Sequence, residues 1–529
     1  MAEGADLLVA EVALERGVPV DAVLPMPLDH YAEDFGAKSF ELLRNLLQRA
    51  EVRRIELATP VQSNDVILDS RAASNRDVFY VNLRNCLIRK SALLLAVWDG
   101  ESSPLPGGTA DTVLRFLGAR EDEDRLEEPI AFMEEQPESA GSRLVYWVPT
   151  GRSGGAAPEG AMPSCFLSGV GENRLMRHER ATGEFAHHLR ELNGYNREFE
   201  ELQRKARSAF PDTLMGSLPE DVPLQNRDSL EQLNDEYGKA DALAMFYQQR
   251  SNLLFKLFGY STFSMGLLYL IYEKFIASEV LLVIYLTVLL SGLVLFHRVR
   301  GRHWFSKHLV YRVLAETMRV KFFLRLGAAE RLVDARELIY LSGIDEFDGF
   351  GWIGEVVRSV EAIDPFGGMN IEWPQLDCVE RAWIDNQQAY FKTKVATLER
   401  TSHRLKRLRE ILFVVILLVI LVLILFSDYA HHTSIGLHRS LADLLTFMMG
   451  LIAIALAVWE LYQNKMATRE LLWQYRNQLG HFTRAKAHFR QKPAASGRKL
   501  ILADLGKDSL MESYLWTIHR YHREHEPPT

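Results

Sequence analysis

Only three cysteines occur in the 529 residues of the chain. Cys86, Cys165 and Cys378 form no spaced motif, so neither a disulfide framework nor a cysteine metal site is expected. Such usage fits soluble parts held in a reduced, cytosolic compartment. An excess of positive charge is also missing, since 61 Lys and Arg stand against 69 Asp and Glu for a net charge of −8. That balance argues against a nucleic-acid partner, which calls for a basic face. The N-terminus lacks a basic flank before an apolar core, so no secretory signal is expected. Walker A, HExxH and EF-hand patterns are absent, as is any recognisable nucleophile–base constellation. An enzyme therefore has little residue support, and no cofactor is expected.

What the chain does contain is four apolar runs in two widely separated pairs: Phe255–Tyr272 with Val280–Phe296, and Ile411–Phe426 with Leu444–Leu461. Each has roughly the length that a helix needs to cross a bilayer core. The short connection within each pair makes it a helical hairpin. Charged residues still make up 25% of the chain, so the membrane part is a minority. Arg250, Lys256, Arg298, Arg300, Arg302 and Lys307 flank the first pair, and Arg404, Lys406, Arg407, Arg409, Lys465 and Arg469 flank the second. All lie at the outer ends of their hairpins, the side that the positive-inside rule makes cytoplasmic. The expected protein is multi-pass in the inner (cytoplasmic) membrane, with both termini cytosolic. Only short turns near Ile276–Glu279 and Asp428–Ser440 face outward.

The third run has no polar side chain, so one subunit is not expected to line a wide hydrated pore. Ser264, Gly266, Ser291, Gly292, Gly450 and Ala453 permit close helix approach. A homo-oligomer follows as the expected working unit, with a plain membrane anchor or a scaffold that recruits partners as the simpler readings.

The first 150 or so residues read as α/β. Helices are predicted near Ala5–Arg16, Ala37–Arg49 and Thr109–Leu117, and strands at Val20–Leu24, Arg53–Leu57, Ala92–Trp98 and Arg143–Val148, the last closing the sheet. Alternation of this kind favours a parallel sheet covered on both faces. Ser153–Gly169, rich in Gly, Pro and Ala, reads as a linker. From Ala181 the pattern is helical. Ser229–Asn252 runs into the first span, Lys307–Arg325 is a long amphipathic helix, Leu376–Arg409 enters the third span, and Tyr462–Gln491 leaves the fourth.

Two segments of the α/β part suggest ligand binding. Ala2-Glu3-Gly4-Ala5-Asp6 opens a helix. Trp98-Asp99-Gly100 and Pro106-Gly107-Gly108-Thr109-Ala110 join the buried strand to the next helix. Glycines after a strand let backbone N–H groups approach a phosphate, and the helix N-terminus adds a favourable dipole. The candidate ligand residues are thus Glu3, Gly4, Asp6, Asp99, Gly100, Gly107, Gly108 and Thr109. An ordinary strand-to-helix turn accounts for the same glycines.

These segments, with Ala22–Phe35 (AVLPMPLDHYAEDF) and LLLAVWDG, resemble the SLOG superfamily, a set of Rossmann-like nucleotide-sensing domains related to the LOG hydrolases. The resemblance covers about residues 1–152. Members usually start one strand earlier, with a glycine-rich turn that is not found before the first helix here. The hydrolases carry PGGxGTxxE with a catalytic glutamate. Leu114 stands at that position here and Ala110-Asp111 replaces the GT pair, so the resemblance implies sensing rather than hydrolysis. Asp111 is either a lone carboxylate or a solvated residue in the first helical turn.

The stretch from Leu253 through Arg325, with YRVLAETMRVKFFLRLGA, is similar to SLATT domains, two-transmembrane effectors found beside SLOG sensors. WIDNQQAYFKTKV and LGKDSLMESYLWTIHR extend the likeness to the second hairpin. The resemblance implies a bacterial conflict-system effector in which a nucleotide-derived signal makes membrane helices form a pore or perturb the bilayer. The alternative is a membrane-anchored enzyme acting on a nucleotide at the same loops.

The expected fold class is accordingly a Rossmann-like α/β N-terminal domain plus an α-helical membrane domain. The expected boundaries are 1–152 for the sensor, 153–228 for a linker and helices, 229–326 for the first hairpin unit, 327–375 for a connection, and 376–529 for the second. Three further patterns carry little. Gly349-Phe350-Gly351-Trp352-Ile353-Gly354 satisfies GxGxxG but follows acidic residues and reads as a loop entering a helix. His519, His522 and His525 read as a solvated tail, and His431, His432 and His438 as loop filler.

Overall fold

A computed structural model describes residues 4–57, 68–120, 129–134, 143–151, 163–206, 214–219, 227–300, 302–333, 351–361, 373–436, 439–466, 468–492 and 494–525. The chain is predominantly helical, with a small N-terminal α/β part and four helices long and apolar enough to cross a membrane. It divides into two compact units. One comprises Met1–Glu198 with Ile344–Asn370, and the other Phe199–Gly343 with Ile371–Thr529.

The first unit opens with helix α1 (Ala5–Glu15), strand β1 (Val20–Leu24), short helix α2 (Leu28–Tyr31), α3 (Ala37–Leu46), β2 (Val52–Glu56), α4 (Arg76–Lys90), β3 (Leu93–Trp98) and α5 (Thr109–Phe116). α1, β1, α3, β2, β3 and α5 fall where the hydrophobic pattern puts them. Strands β4 (Ala131–Glu134), β5 (Leu144–Pro149), β6 (Cys165–Gly171) and β7 (Arg174–His178) follow. Two sheets result. β1 pairs in parallel with β2, and a second sheet runs in the order β3-β5-β6-β7-β4. β3 and β5 are parallel, whereas β6 is antiparallel to both β5 and β7.

Three expectations change. The second sheet is mixed rather than all-parallel. β5 does not close it, because β6 extends it beyond. The segment read as a linker through Gly169 is instead strand from Cys165 onward. Gly169 is there for close packing rather than for a turn: a Cβ at that position would sit 2.4 Å from the Leu117 carbonyl oxygen. The connecting region also contributes to this unit. Helix α6 (Gly183–Ala206) and helix α7 (Gly351–Ser359) meet where the Tyr195 and Trp352 rings lie 5.0 Å apart. The GxGxxG pattern therefore opens a helix whose Trp352 and Ile353 are core.

In the second unit, helix α8 (Arg227–Lys274) is 48 residues long, roughly 70 Å at helical rise. Its N-terminal half buries Leu230, Leu233, Tyr237, Ala240, Leu243, Ala244 and Tyr247, a stripe at three- and four-residue spacing. Its C-terminal half buries none of its apolar window. Helix α9 (Glu279–Arg300) returns after a short turn, and α10 (Trp304–Leu326) then packs along the first half of α8. α10 is more deeply enclosed than an amphipathic surface helix. Residues 320 to 326 are all buried, Lys321 and Arg325 among them.

Those charges are paired inward. Arg325 binds Glu330 at 2.7 Å and the Ser229 hydroxyl at 2.7 Å. Burial alone would raise the Glu330 carboxyl, but Arg325 and Lys321 hold it down at about 2. About two to four turns back, Arg319 donates to the Tyr237 hydroxyl at 2.7 Å and Arg312 reaches Asp241 at 3.0 Å, with Glu316 between the two arginines. α8 and α10 are thus tied by one ion pair and by arginine hydrogen bonds to Tyr237 and Ser229.

The second hairpin is built in the same way. Helix α11 (Trp373–Val379) passes through a π-helical turn (Glu380–Asp385) into α12 (Asn386–Leu425). The turn between the spans holds short helix α13 (Ser427–His432) and the two-stranded ribbon β8 (Ser434–Gly436) and β9 (Arg439–Ser440). Helix α14 (Leu441–Met466) is followed by α15 (Thr468–Gln491) and α16 (Ala495–His525). α16 stays helical to His525 and buries Thr517 and Arg520, whereas the side chains of His519, His522 and His525 lie outside the described residues. His431 and His432 are exposed on α13, whereas His438 lies outside the described residues.

Glycines join the two hairpins. A Cβ at Gly266 on α8 would meet Ile454 side-chain atoms at 2.8 and 2.9 Å. One at Gly450 on α14 would meet Leu270 at 2.9 Å. The Phe275 and Phe447 rings lie 4.9 Å apart further along the same contact. α8 and α14 therefore form the inner pair of the apolar bundle, and small residues set their separation. Replacing Gly266 or Gly450 by leucine is expected to cost about 1–3 kcal/mol each by overpacking. Thermal unfolding of the detergent-solubilised chain measures this, and an unchanged midpoint in both variants would contradict the contact.

Candidate functional site

The glycine-rich segment after β3 is held by one carboxylate. Asp111, in the first turn of α5, accepts from the Gly107 amide at 2.9 Å, from Arg84 at 2.7 Å and from Arg115 at 2.7 Å. Asp111 and Arg84 are only 5% and 2% exposed. Burial pushes the Asp111 carboxyl up, but hydrogen bonds from Arg84, Gly107 and Arg115 outweigh it and leave the group below its ordinary range. Asp111 is therefore neither a lone catalytic carboxylate nor a solvated helix-end residue. It is the buried strut of the loop.

Gly107 is required by geometry on two counts. Its φ is +74°, and a Cβ there would lie 2.6 Å from the Tyr80 backbone. The loop thus rests directly on α4. From there the contacts continue to the other candidate segment. The Tyr80 hydroxyl donates to Asp34 at 2.5 Å, and Arg76 reaches Asp34 at 3.0 Å. The Tyr31 and Tyr80 rings are 6.5 Å apart. Burial, with contributions from Tyr80, Asp6 and Asp34, raises the Tyr31 hydroxyl far above its ordinary value.

Leu7 at the start of α1 packs in one core cluster with Leu24, Tyr31 and Phe79, so the start of α1 and the Gly107 segment both border α4. Open α/β sheets bind ligands at the C-terminal ends of their strands. Gly108 is the N-cap of α5 and Thr109 its exposed first residue. Gly108 supplies no side-chain cap to the first-turn N–H groups. Gly4 precedes α1 with φ +92°. Asp99 and Gly100 serve the turn itself. Asp99 accepts from the Glu101 amide, and Gly100 faces Trp147, which a Cβ would approach to 3.1 Å. Glu3 lies outside the described residues.

Trp98 is core, 4% exposed, with its ring 6.0 Å from that of Trp147. Arg177 stacks over Phe132 and Trp147 in the same cluster. The structure also brings Ser168 and His178 to 2.8 Å across β6 and β7. Ten residues of separation hid that pair in the sequence. Both are 1% exposed, so no substrate reaches them and the pair is structural. Among the described residues no group of three His, Cys, Asp or Glu could hold a metal.

Tyr31, Asp34, Arg76, Tyr80 and Arg84 escaped the sequence reading. One signal was available: Tyr80 and Arg84 stand four apart on α4, as Asp111 and Arg115 do on α5, so each pair shares a helix face. Comparison with family models, curated proteins and solved structures gives no match for this chain.

Asp111→Ala leaves the buried Arg84 guanidinium without its charge partner. We expect a loss of about 3–5 kcal/mol in the first unit and faster exchange of the Gly107 amide. Because the folded-state pKa of Asp111 is depressed, its contribution is present above the ordinary carboxylate range and fades as pH falls through the lowered value. Thermal unfolding near neutral and at acid pH measures both. A variant within about 0.5 kcal/mol of the parent would remove Asp111 from this role.

Proposed function

We propose that the chain is a membrane-embedded effector switched by a nucleotide-derived ligand. In this reading the first unit is a Rossmann-like sensor of the SLOG type. Helices α8, α9, α12 and α14 span a bilayer, and an oligomer of the chain opens a path or perturbs the lipid. The observation that carries the membrane part is the state of those helices. The apolar windows of α8, α9 and α12 contain no buried residue, and Val283, Leu290, Ile411, Leu418 and Ile424 are among many exposed large side chains. Apolar surface on that scale is stable only against lipid or another apolar surface.

The sensor part rests on the glycine-rich segment that leads from β3 into the N-terminus of α5, braced on α4 beside the start of α1. The first-turn amides of α5 suit one phosphate. Catalysis draws no support from this geometry, since Asp111 is consumed by ion pairs and Ser168 is sealed.

Thr109 provides the direct test. A glutamate there favours the helix through its dipole and puts a negative charge where a phosphate would sit. The parent chain, reconstituted in dye-loaded vesicles, is expected to leak on addition of one member of a panel of cyclic and ADP-ribose-type nucleotides. Thr109→Glu is expected to insert equally and not respond. Absence of leakage with every nucleotide, or an equal response from the variant, would contradict the proposal.

A further inference from the structure

The two hairpins use their basic residues differently. At the base of the first, Arg250 stacks on Phe246 and Trp304, Arg302 on Trp304, and Lys307 over Tyr247. Those cations are engaged by the protein. At the base of the second, α12 carries Arg400, His403, Arg404, Lys406, Arg407 and Arg409 within ten residues, all exposed. Arg409 pairs with Glu460 at 3.6 Å. Arg400, Arg404, Lys406 and Arg407 have no ion pair among the described residues. Glu410 is the one acidic residue within the same stretch, with Glu399 directed to Arg476.

Helical rotation of about 100° per residue puts Arg400, Arg404 and Arg407 on the same face as Ile411, Val414 and Leu418. The last three are 59%, 52% and 54% exposed. One uncovered face of α12 therefore passes from unpaired guanidinium groups straight into unpaired apolar side chains. A folded partner offers no reason for that order, whereas an anionic lipid does: headgroup first, acyl chain next.

We propose that the Arg400–Arg407 face of α12 binds the headgroups of anionic phospholipids and so anchors the second hairpin at the bilayer surface. The inference rests on the membrane reading above. Each basic residue near such a surface strengthens binding by roughly fivefold, and the attraction weakens with salt. In the first hairpin Arg250, Arg302 and Lys307 are stacked on aromatics, and the exposed Lys256 and Arg298 lie on separate helices rather than in one cluster, so the preference is expected to be weaker there.

Two measurements on the full chain separate this proposal from the membrane reading. Carbonate-resistant flotation on phosphatidylcholine vesicles tests insertion alone. Titration of the detergent-purified chain with phosphatidylglycerol or phosphatidylcholine, with retained lipid counted by native mass spectrometry, tests the headgroup preference. The variant Arg400→Gln/Arg404→Gln/Lys406→Gln/Arg407→Gln is expected to float like the parent and to lose at least tenfold in affinity for phosphatidylglycerol, with phosphatidylcholine unchanged. Arg404→Lys/Arg407→Lys, which keeps the charge, is expected to retain most of the affinity. Undiminished phosphatidylglycerol binding by the glutamine variant would overturn the headgroup site while leaving insertion intact. Tighter binding of a single-stranded oligonucleotide than of phosphatidylglycerol to the same face would also overturn it. Failure of the parent to float would overturn both readings.

Discussion

More apolar helix surface is present than the chain can cover with itself, and this constraint shapes everything in the second unit. α8 and α14 spend their small residues on each other, with Gly266 and Gly450 admitting Ile454 and Leu270. α9 and α12 have no equivalent partner and keep their large side chains outward. Beyond the apolar segments the same helices change character. α8 becomes a half-buried helix whose stripe of Leu and Tyr docks on α10, and the pairs Asp241–Arg312 and Ser229–Arg325 fix its register. Each long helix thus belongs to two environments, and any displacement at one end is carried to the other by a continuous rigid backbone.

The first unit depends on a smaller device. A strand-to-helix segment with two glycines would be loose by itself. Asp111 removes that freedom by holding the Gly107 amide and two guanidinium groups at once, and Gly107 lets the loop lie against the Tyr80 backbone.

Much of this was legible from the residues. The four apolar runs are long and uninterrupted, and the structure places helices over all of them. α1, β1, α3, β2, β3 and α5 were readable because their hydrophobic periods are unambiguous. β6 was not, because Gly169 carries the signature of a turn when the cause is the nearby Leu117 carbonyl. The mixed sheet was missed for the same reason. α7 joins the first unit from more than a hundred residues away, a contact between Tyr195 and Trp352 that no local pattern announces. The glycine loop was found, but its strut was not: pairing of Arg84 with Asp111 depends on how α4 packs on α5, which is a tertiary fact.

The account stands or falls on whether the apolar helices cross a bilayer with the 275–278 and 426–440 turns on the outer side. Single cysteines at Ala277 and Ser434, in a chain whose three native cysteines are replaced, can be probed in intact cells with a membrane-impermeant maleimide. Labelling at both positions, with a cysteine at Ser229 labelled only after lysis, is the predicted result. No labelling at either turn until the cells are broken would contradict it.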